Sequence, residues 1–222
     1  MLFEVCGWRF DETSNWKPRT SNHNVMAEQG NKHRGLLIVL CGPSGVGKST
    51  ISRMLETRMD IRYTVSATTR ARKPQDDDGK RYDHITRDEF FRRLDNDEFL
   101  EYAQVYDDYY GTPKHPALDY LEAGKDVLLE IDVQGALQVR YQYPDALEIF
   151  ILPPSRQTLL QRLNDRGRDS DEDINKRFRA ARREISMAKG SRSFDYLVFN
   201  DDLERAVGEI INIIKNERAG GI

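Results

Sequence analysis

LLIVLCGPSGVGKSTISRMLETR, residues 36–58, sets an unbroken aliphatic run against a glycine-rich turn and then a helical pattern. The run 36–40 suits a strand covered on both faces, as in a parallel sheet. The turn Gly42-Pro43-Ser44-Gly45-Val46-Gly47-Lys48-Ser49 fits G-x-x-x-x-G-K-[ST]. A strand before it and a helix over 50–58 supply the context that gives this motif its meaning. Glycines let successive backbone N–H groups turn inward around phosphate oxygens, and the following helix offers its positive end to the anion. Lys48 is then placed to neutralise β- and γ-phosphate oxygens, and Ser49 to put a hydroxyl on Mg²⁺ bridging them. The residues expected to hold ATP are Gly42, Pro43, Ser44, Gly45, Val46, Gly47, Lys48, Ser49 and Thr50.

Outward from this stretch, further apolar strands are expected over 127–131, over 146–152 ending at Pro153-Pro154, and over 196–199, with helical segments between them. That alternation predicts an α/β chain, a three-layer P-loop NTPase fold with a parallel sheet core. Two stretches break the alternation. Residues 65–116 are rich in Tyr, Asp and Arg with short β-like pieces and read as an inserted flap. Residues 156–183 are Arg-rich and helical in pattern, centred on Arg166-Gly167-Arg168, and read as a lid. The core is left as 35–64, 117–155 and 184–222.

The 222 residues are 32% charged and 38% hydrophobic with a formal charge of −3, which suits a globular chain and gives no basic footprint for nucleic acid. The longest apolar run, 36–41, is far short of the roughly 20 residues that span a bilayer. The expectation is a cytoplasmic protein without membrane or nucleic-acid partners, as a monomer or homodimer. Residues 1–34 show no apolar period and are expected to be a disordered leader. Met26 opens the stretch leading into the first strand and is a candidate natural start; a partner-binding arm carrying Trp8 and Trp16 is the alternative. Cys6 and Cys41 sit in unlike contexts and make neither a metal pattern nor a disulfide framework.

A P-loop needs a second metal anchor at the tip of a neighbouring strand. Val127-Leu128-Leu129-Glu130-Ile131-Asp132 supplies an apolar strand closing on two acids. Asp132 is the metal-side candidate, through a bound water; Glu130 reads equally as a turn former.

Five blocks now fall in order: Val65-Ser66-Ala67-Thr68-Thr69-Arg70, Gly79-x-x-Tyr82, Phe99-Leu100-Glu101, Tyr109-Tyr110-Gly111-Thr112 and Glu130-Ile131-Asp132-Val133-Gln134-Gly135. Together with the P-loop, they resemble the guanylate kinase family over nearly everything from residue 35 onward. The resemblance implies transfer of the γ-phosphoryl group of Mg²⁺-bound ATP to GMP or dGMP, giving the diphosphate and ADP, a step of purine metabolism and GMP recycling. It implies that the flap binds GMP, with Ser66, Glu101 and Thr112 facing the guanine. Arg70, Lys73, Tyr82 and Tyr110 would hold the 5′-phosphate, with Glu130 also on the GMP side. Arg162, Arg166 and Arg177 would act from the lid, and Asn200 would lie near the adenine, although an Asn-Asp pair there is equally a helix cap. Guanine presents two adjacent donors, N1–H and the exocyclic amine, that one carboxylate can accept, whereas adenine offers no such pair.

Two positions depart from the family pattern. Lys73 stands where a second arginine is usual, which keeps the charge but loses the bidentate fork and weakens the grip on GMP unless Arg72 swings in. Glu130 stands where aspartate is usual and adds a methylene. Two other readings remain beside this one. A non-enzymatic scaffold module of the same fold would have no use for the intact P-loop, and a kinase for a ribose phosphate ester would have no use for Glu101 with Ser66 and Thr112.

Overall fold

The computed structural model describes residues 3–5, 8–10, 34–72, 81–165, 170–190 and 193–220. The chain divides into two compact units, Met1–His33 and Arg34–Ile222. In the first, strand β1 (Phe3–Val5) pairs antiparallel with β2 (Trp8–Phe10). The rest of the expected leader, with Cys6, Trp16 and Met26, lies outside the described residues, as do Lys73 and Arg166.

In the second unit, β3 (Leu37–Cys41) is buried along its whole length, as its aliphatic run requires. Its side chains divide by parity, as the twofold period of a strand demands. Leu37, Val39 and Cys41 join one core cluster, while Ile38 and Leu40 join the other. Neighbouring strands are β9 (Asp126–Glu130), β10 (Leu147–Leu152), β11 (Tyr196–Phe199) and β4 (Ile61–Tyr63). They form a five-stranded parallel sheet in the order β11-β10-β3-β9-β4. One face is covered by α3 (Lys114–Glu122) and α4 (Val133–Gln142), through Ala117, Leu121, Ala136 and Val139. On the other face lie α1 (Lys48–Arg58) and α7 (Leu203–Arg218), through Ile51, Leu55, Val207, Ile210 and Ile214. This is the expected three-layer core. The edge strand β4 is an addition to the four strands read from sequence.

The flap is a second sheet, ordered β6-β5-β8-β7, of β5 (Ser66–Thr68), β6 (Tyr82–His84), β7 (Phe99–Val105) and β8 (Asp108–Pro113). Helix α2 (Arg87–Asp95) packs Phe90 onto it, with the Phe90 and Phe99 rings stacked at 4.7 Å. The stretch expected to be a lid holds α5 (Arg156–Asn164) and the start of α6 (Asp171–Gly190), joined by Leu159, Leu163, Ile174 and Ala181. Helix α6 runs past the expected boundary at 183. No helix among the described residues is long and apolar enough to cross a membrane.

Strand β10 carries a buried acid outside the glycine turn. Glu148 on β10 is fully buried, and neither carboxylate oxygen has a hydrogen-bond partner among the described residues. The Arg140 side chain lies 3.6 Å away but is already bonded to Asp195 at 2.6 Å and to the Pro144 carbonyl at 2.9 Å. Burial pushes the Glu148 carboxyl up to about 8, with Arg140 pulling it down and Asp195 adding to the rise. A folded pKa above the unfolded value of about 4.3 gives stability that is full below about pH 4.3 and lost as pH rises through about 8. Urea denaturation is therefore expected to show lower stability at pH 8.5 than at pH 5. Glu148→Gln, neutral at both, should remove this group's share of the decline; an unchanged slope would refute the assignment.

Candidate active site

The glycine turn lies between β3 and α1. Gly42, Gly45 and Gly47 have φ of 147°, 87° and 100°, where side chains are strained. Space forbids substitution as well. A Cβ on Gly42 would meet the Ile151 carbonyl oxygen at 2.7 Å, and one on Gly47 would meet Asn200 Nδ2 at 2.5 Å. That close approach has a purpose, because Asn200 Nδ2 donates to the Val46 carbonyl at 2.8 Å. Arg162 also donates to it, at 3.4 Å, while holding the Asn200 carbonyl at 3.1 Å. With the Val46 carbonyl turned outward to these donors, the loop can keep its N–H groups on the inner side. Helices α2, α4, α5 and α7 begin with side-chain caps, from Thr86, Asp132, Ser155 and Asp202. Helix α3, after Pro113, and helix α1, after Gly47, have no side-chain cap; at α1 the first N–H groups are left beside the glycine turn, where an anion can take them. Lys48 Nζ lies over the turn, donating to the carbonyls of Gly42 and Pro43.

The two acids after β9 take different places. Glu130 Oε1 accepts from Ser49 Oγ at 2.6 Å, and its Oε2 accepts from Ser52 Oγ at 3.1 Å. Asp132 caps α4, accepting from the Gly135 N–H at 2.9 Å. Burial pushes its carboxyl up, opposed by the Gly135 bond and the Lys48 charge. The carboxylate in contact with the P-loop serine is thus Glu130, while Asp132, the metal-side candidate, sits at the start of α4. The added methylene explains the reach: a glutamate at the strand end spans to both Ser49 and Ser52. Cys41, at the end of β3, is fully buried and its thiol is pushed up by burial, so it is an inert core residue.

The flap gathers two polar groups. Ser66, Glu101 and Thr112 are 6%, 4% and 1% exposed, an unusual depth for such side chains. Thr112 gives Glu101 Oε1 both its hydroxyl, at 2.6 Å, and its backbone N–H, at 3.1 Å, while the Ser66 hydroxyl is 3.4 Å from that of Thr112. Burial pushes the Glu101 carboxyl up to about 8 against these bonds. Nearby, the Tyr82 and Tyr110 rings meet edge to face at 5.7 Å, and the Arg70 guanidinium lies 5.6 Å from the Tyr82 centroid. Both hydroxyls are pushed up by burial, which keeps them protonated donors. Of the lid arginines, Arg162 reaches the turn, whereas Arg177 lies 5.8 Å from the centroid of Tyr106 at the tip of the β7–β8 hairpin.

Gly135 enters the sequence reading only as the last residue of its block, with no role. A Cβ on Gly135 would stand 2.2 Å from Glu101 Oε2, so the start of α4 forms the wall against which that carboxylate is set. The 34-residue separation of Glu101 and Gly135 carries no signal of this contact, because they meet only when α4 packs on β7.

A glycine turn pinned by its outward carbonyl, with an uncapped helix start behind it, defines the P-loop class of nucleotide-binding proteins. The guanylate kinase family model matches residues 34–217. A guanylate kinase from Caldanaerobacter subterraneus is 47% identical over 188 residues, covering 84% of this chain and 90% of that relative. One from Clostridioides difficile is 45% identical over 186 residues, 83% of this chain and 89% of the relative. The crystal structure of guanylate kinase from Anaplasma phagocytophilum superposes with a TM-score of 0.70 at 33% identity, covering 84% of this chain and 88% of that one. The chain belongs to the guanylate kinase family.

Gly135→Ala is expected to overpack the α4–β7 contact, lowering stability by about 1–3 kcal/mol in urea unfolding. An unchanged midpoint would mean that Glu101 is free to move aside.

Proposed function

We propose that the chain transfers the γ-phosphoryl group of ATP to GMP, giving ADP and GDP, and that dGMP serves as well, because both acceptors share the guanine edge and the 5′-phosphate. The observation that carries this reading is the buried Glu101–Thr112–Ser66 cluster. An acid so deeply covered is favourable only where donors meet it. Thr112 serves Oε1, and guanine N1–H and its amine suit the remaining capacity of the carboxylate. The Ser66 hydroxyl can turn toward the O6 and N7 acceptors, and the Thr112 hydroxyl can do so once Oε1 is left to the Thr112 N–H. Arg70, Tyr82 and Tyr110 suit the 5′-phosphate, with Lys73 added from the sequence pattern.

On the donor side, residues 42–50 cradle the phosphates, Lys48 swings from the turn carbonyls to them, and Asn200 with Arg162 keeps the turn in shape. Ser49 offers a hydroxyl oxygen held by Glu130, and Asp132 offers a carboxylate at the start of α4, oxygen donors of the kind that Mg²⁺ takes. Were Mg²⁺ bound there, it would supply neutralisation of the charge on the phosphate oxygens. The protein's own task is alignment: it places the GMP phosphate oxygen in line with the γ-phosphorus and excludes water. Arg166 and Arg177 are assigned to the transferred group from the lid. The reading further places the enzyme in the cytoplasm as a monomer or homodimer acting in purine nucleotide metabolism and GMP recycling.

A coupled ADP-release assay with Mg²⁺, ATP and separate GMP, dGMP, AMP, UMP, CMP and ribose bisphosphate tests this directly. ADP formed with GMP and dGMP alone is expected; a better acceptor elsewhere would remove the role of Glu101, and GMP binding without turnover would favour a scaffold module. Lys48→Ala should lower kcat by at least about 10²-fold, as for loss of one transition-state donor.

The Glu101 carboxyl predicts a pH effect. In the empty site, with its pKa raised to about 8, it is mostly protonated near neutrality. Guanine's two donors favour the ionised form, so binding lowers the pKa and releases a proton. GMP affinity should therefore rise between about pH 7 and 8.5, with proton release visible by calorimetry in buffers of different ionisation enthalpy. A flat profile would mean that the carboxyl is already ionised in the empty site.

A further inference from the structure

Arg81 stands where the flap meets the core, immediately before β6, and nothing in the P-loop or acceptor assignments uses it. Its guanidinium carbon lies 4.1 Å from the centroid of the Tyr63 ring on β4, close enough for a cation–π contact. One terminal nitrogen is 2.9 Å from Glu56 of α1, and the other is 3.8 Å from Glu130 Oε2 at the end of β9. A single flap side chain thus touches three core elements beside Ser49. The Arg81 and Glu130 side chains are 13% and 10% exposed, so the carboxylate is largely cut off from water. A covered carboxylate needs both charge and hydrogen bonds. Ser49 and Ser52 supply the bonds. Arg81 supplies charge: its Nη1, which faces Glu130, is buried with no hydrogen-bond partner among the described residues, leaving both carboxylate oxygens to the serines.

We propose that Arg81 is a positioning residue that fixes Glu130 against Ser49, so that the acceptor-binding flap sets the metal-side half of the ATP site. A hydroxyl has one proton and two lone pairs. With the Ser49 proton committed to Glu130, its lone pairs are directed away from that carboxylate and are available to a hard cation. Loss of the Arg81 charge leaves Glu130 covered and uncompensated, free to turn from the serines and release that orientation. The inference rests on the reading of Ser49 as a Mg²⁺ ligand.

Calorimetric titration of a non-hydrolysable ATP analogue into the full chain, with and without Mg²⁺, tests it in wild type and Arg81→Met. Metal-free affinity should stay within about twofold, while the Mg²⁺-dependent gain should fall by about 10-fold, the low end for loss of an outer-shell partner. Arg81→Lys should recover most of the gain, and GMP titrated alone should bind both proteins equally. Should Arg81→Met fail to fold, as judged by circular dichroism, Arg81→Gln replaces it with the same expectations. A wild-type Mg²⁺ gain with only a lowered Tm would overturn the proposal, leaving Arg81 a structural contact. A loss confined to GMP would also overturn it, making Arg81 an acceptor ligand. No Mg²⁺-dependent gain in wild type would remove the metal reading of Ser49 itself, and this inference with it.

Discussion

The turn between β3 and α1 has to hold a backbone with three positive φ values and its Val46 carbonyl turned to outside donors, and its surroundings serve that demand. Three glycines supply the positive φ values, Ile151 and Asn200 occupy the space where side chains would be, and Asn200 and Arg162 take the Val46 carbonyl. These partners come from β10, the end of β11 and the lid helix α5. The central position of β3 brings them within reach, because the parallel order β11-β10-β3-β9-β4 delivers every strand end to the same side of the sheet. The geometry of a phosphate cradle is therefore a property of the whole sheet rather than of its motif.

Parts of this were legible in sequence for a physical reason. Strands β3, β9 and β10 lie inside the sheet, and burial leaves them aliphatic runs; the edge strand β11 was legible as a four-residue apolar run even though Leu197 and Phe199 are exposed. Strand β4 escaped notice because it is three residues long, at the sheet edge, with Arg62 exposed between Ile61 and Tyr63. The Ser66, Glu101 and Thr112 group was legible through motif order, and the structure brings the three together in one buried chain of hydrogen bonds. Glu130 and Asp132 were legible as a pair but not individually, since periodicity does not reveal which of two strand-end acids reaches the loop and which turns to cap α4. Arg81 was hidden for a different reason. Its partners Glu56, Tyr63 and Glu130 are scattered along the chain, and only folding makes a unit of them.

The flap and the core share more than a boundary. Gly135 at the start of α4 limits Glu101 on β7, while the N–H of the same residue is bonded to Asp132. Arg81 links the flap to Glu130 and so to Ser49. At each place one residue belongs to the geometry of both halves, so a substitution that suits one half is judged by the other as well.

Burial of Glu101 also bears on how an acceptor arrives. A carboxyl that burial holds protonated adds no negative charge to a site that an anion approaches, where the Arg70 guanidinium stands beside Tyr82. Negative charge then develops only after a base with paired donors has docked. On the proposed reading, an acid that would slow encounter if permanently ionised is silent during capture and becomes charged in the presence of the base it recognises.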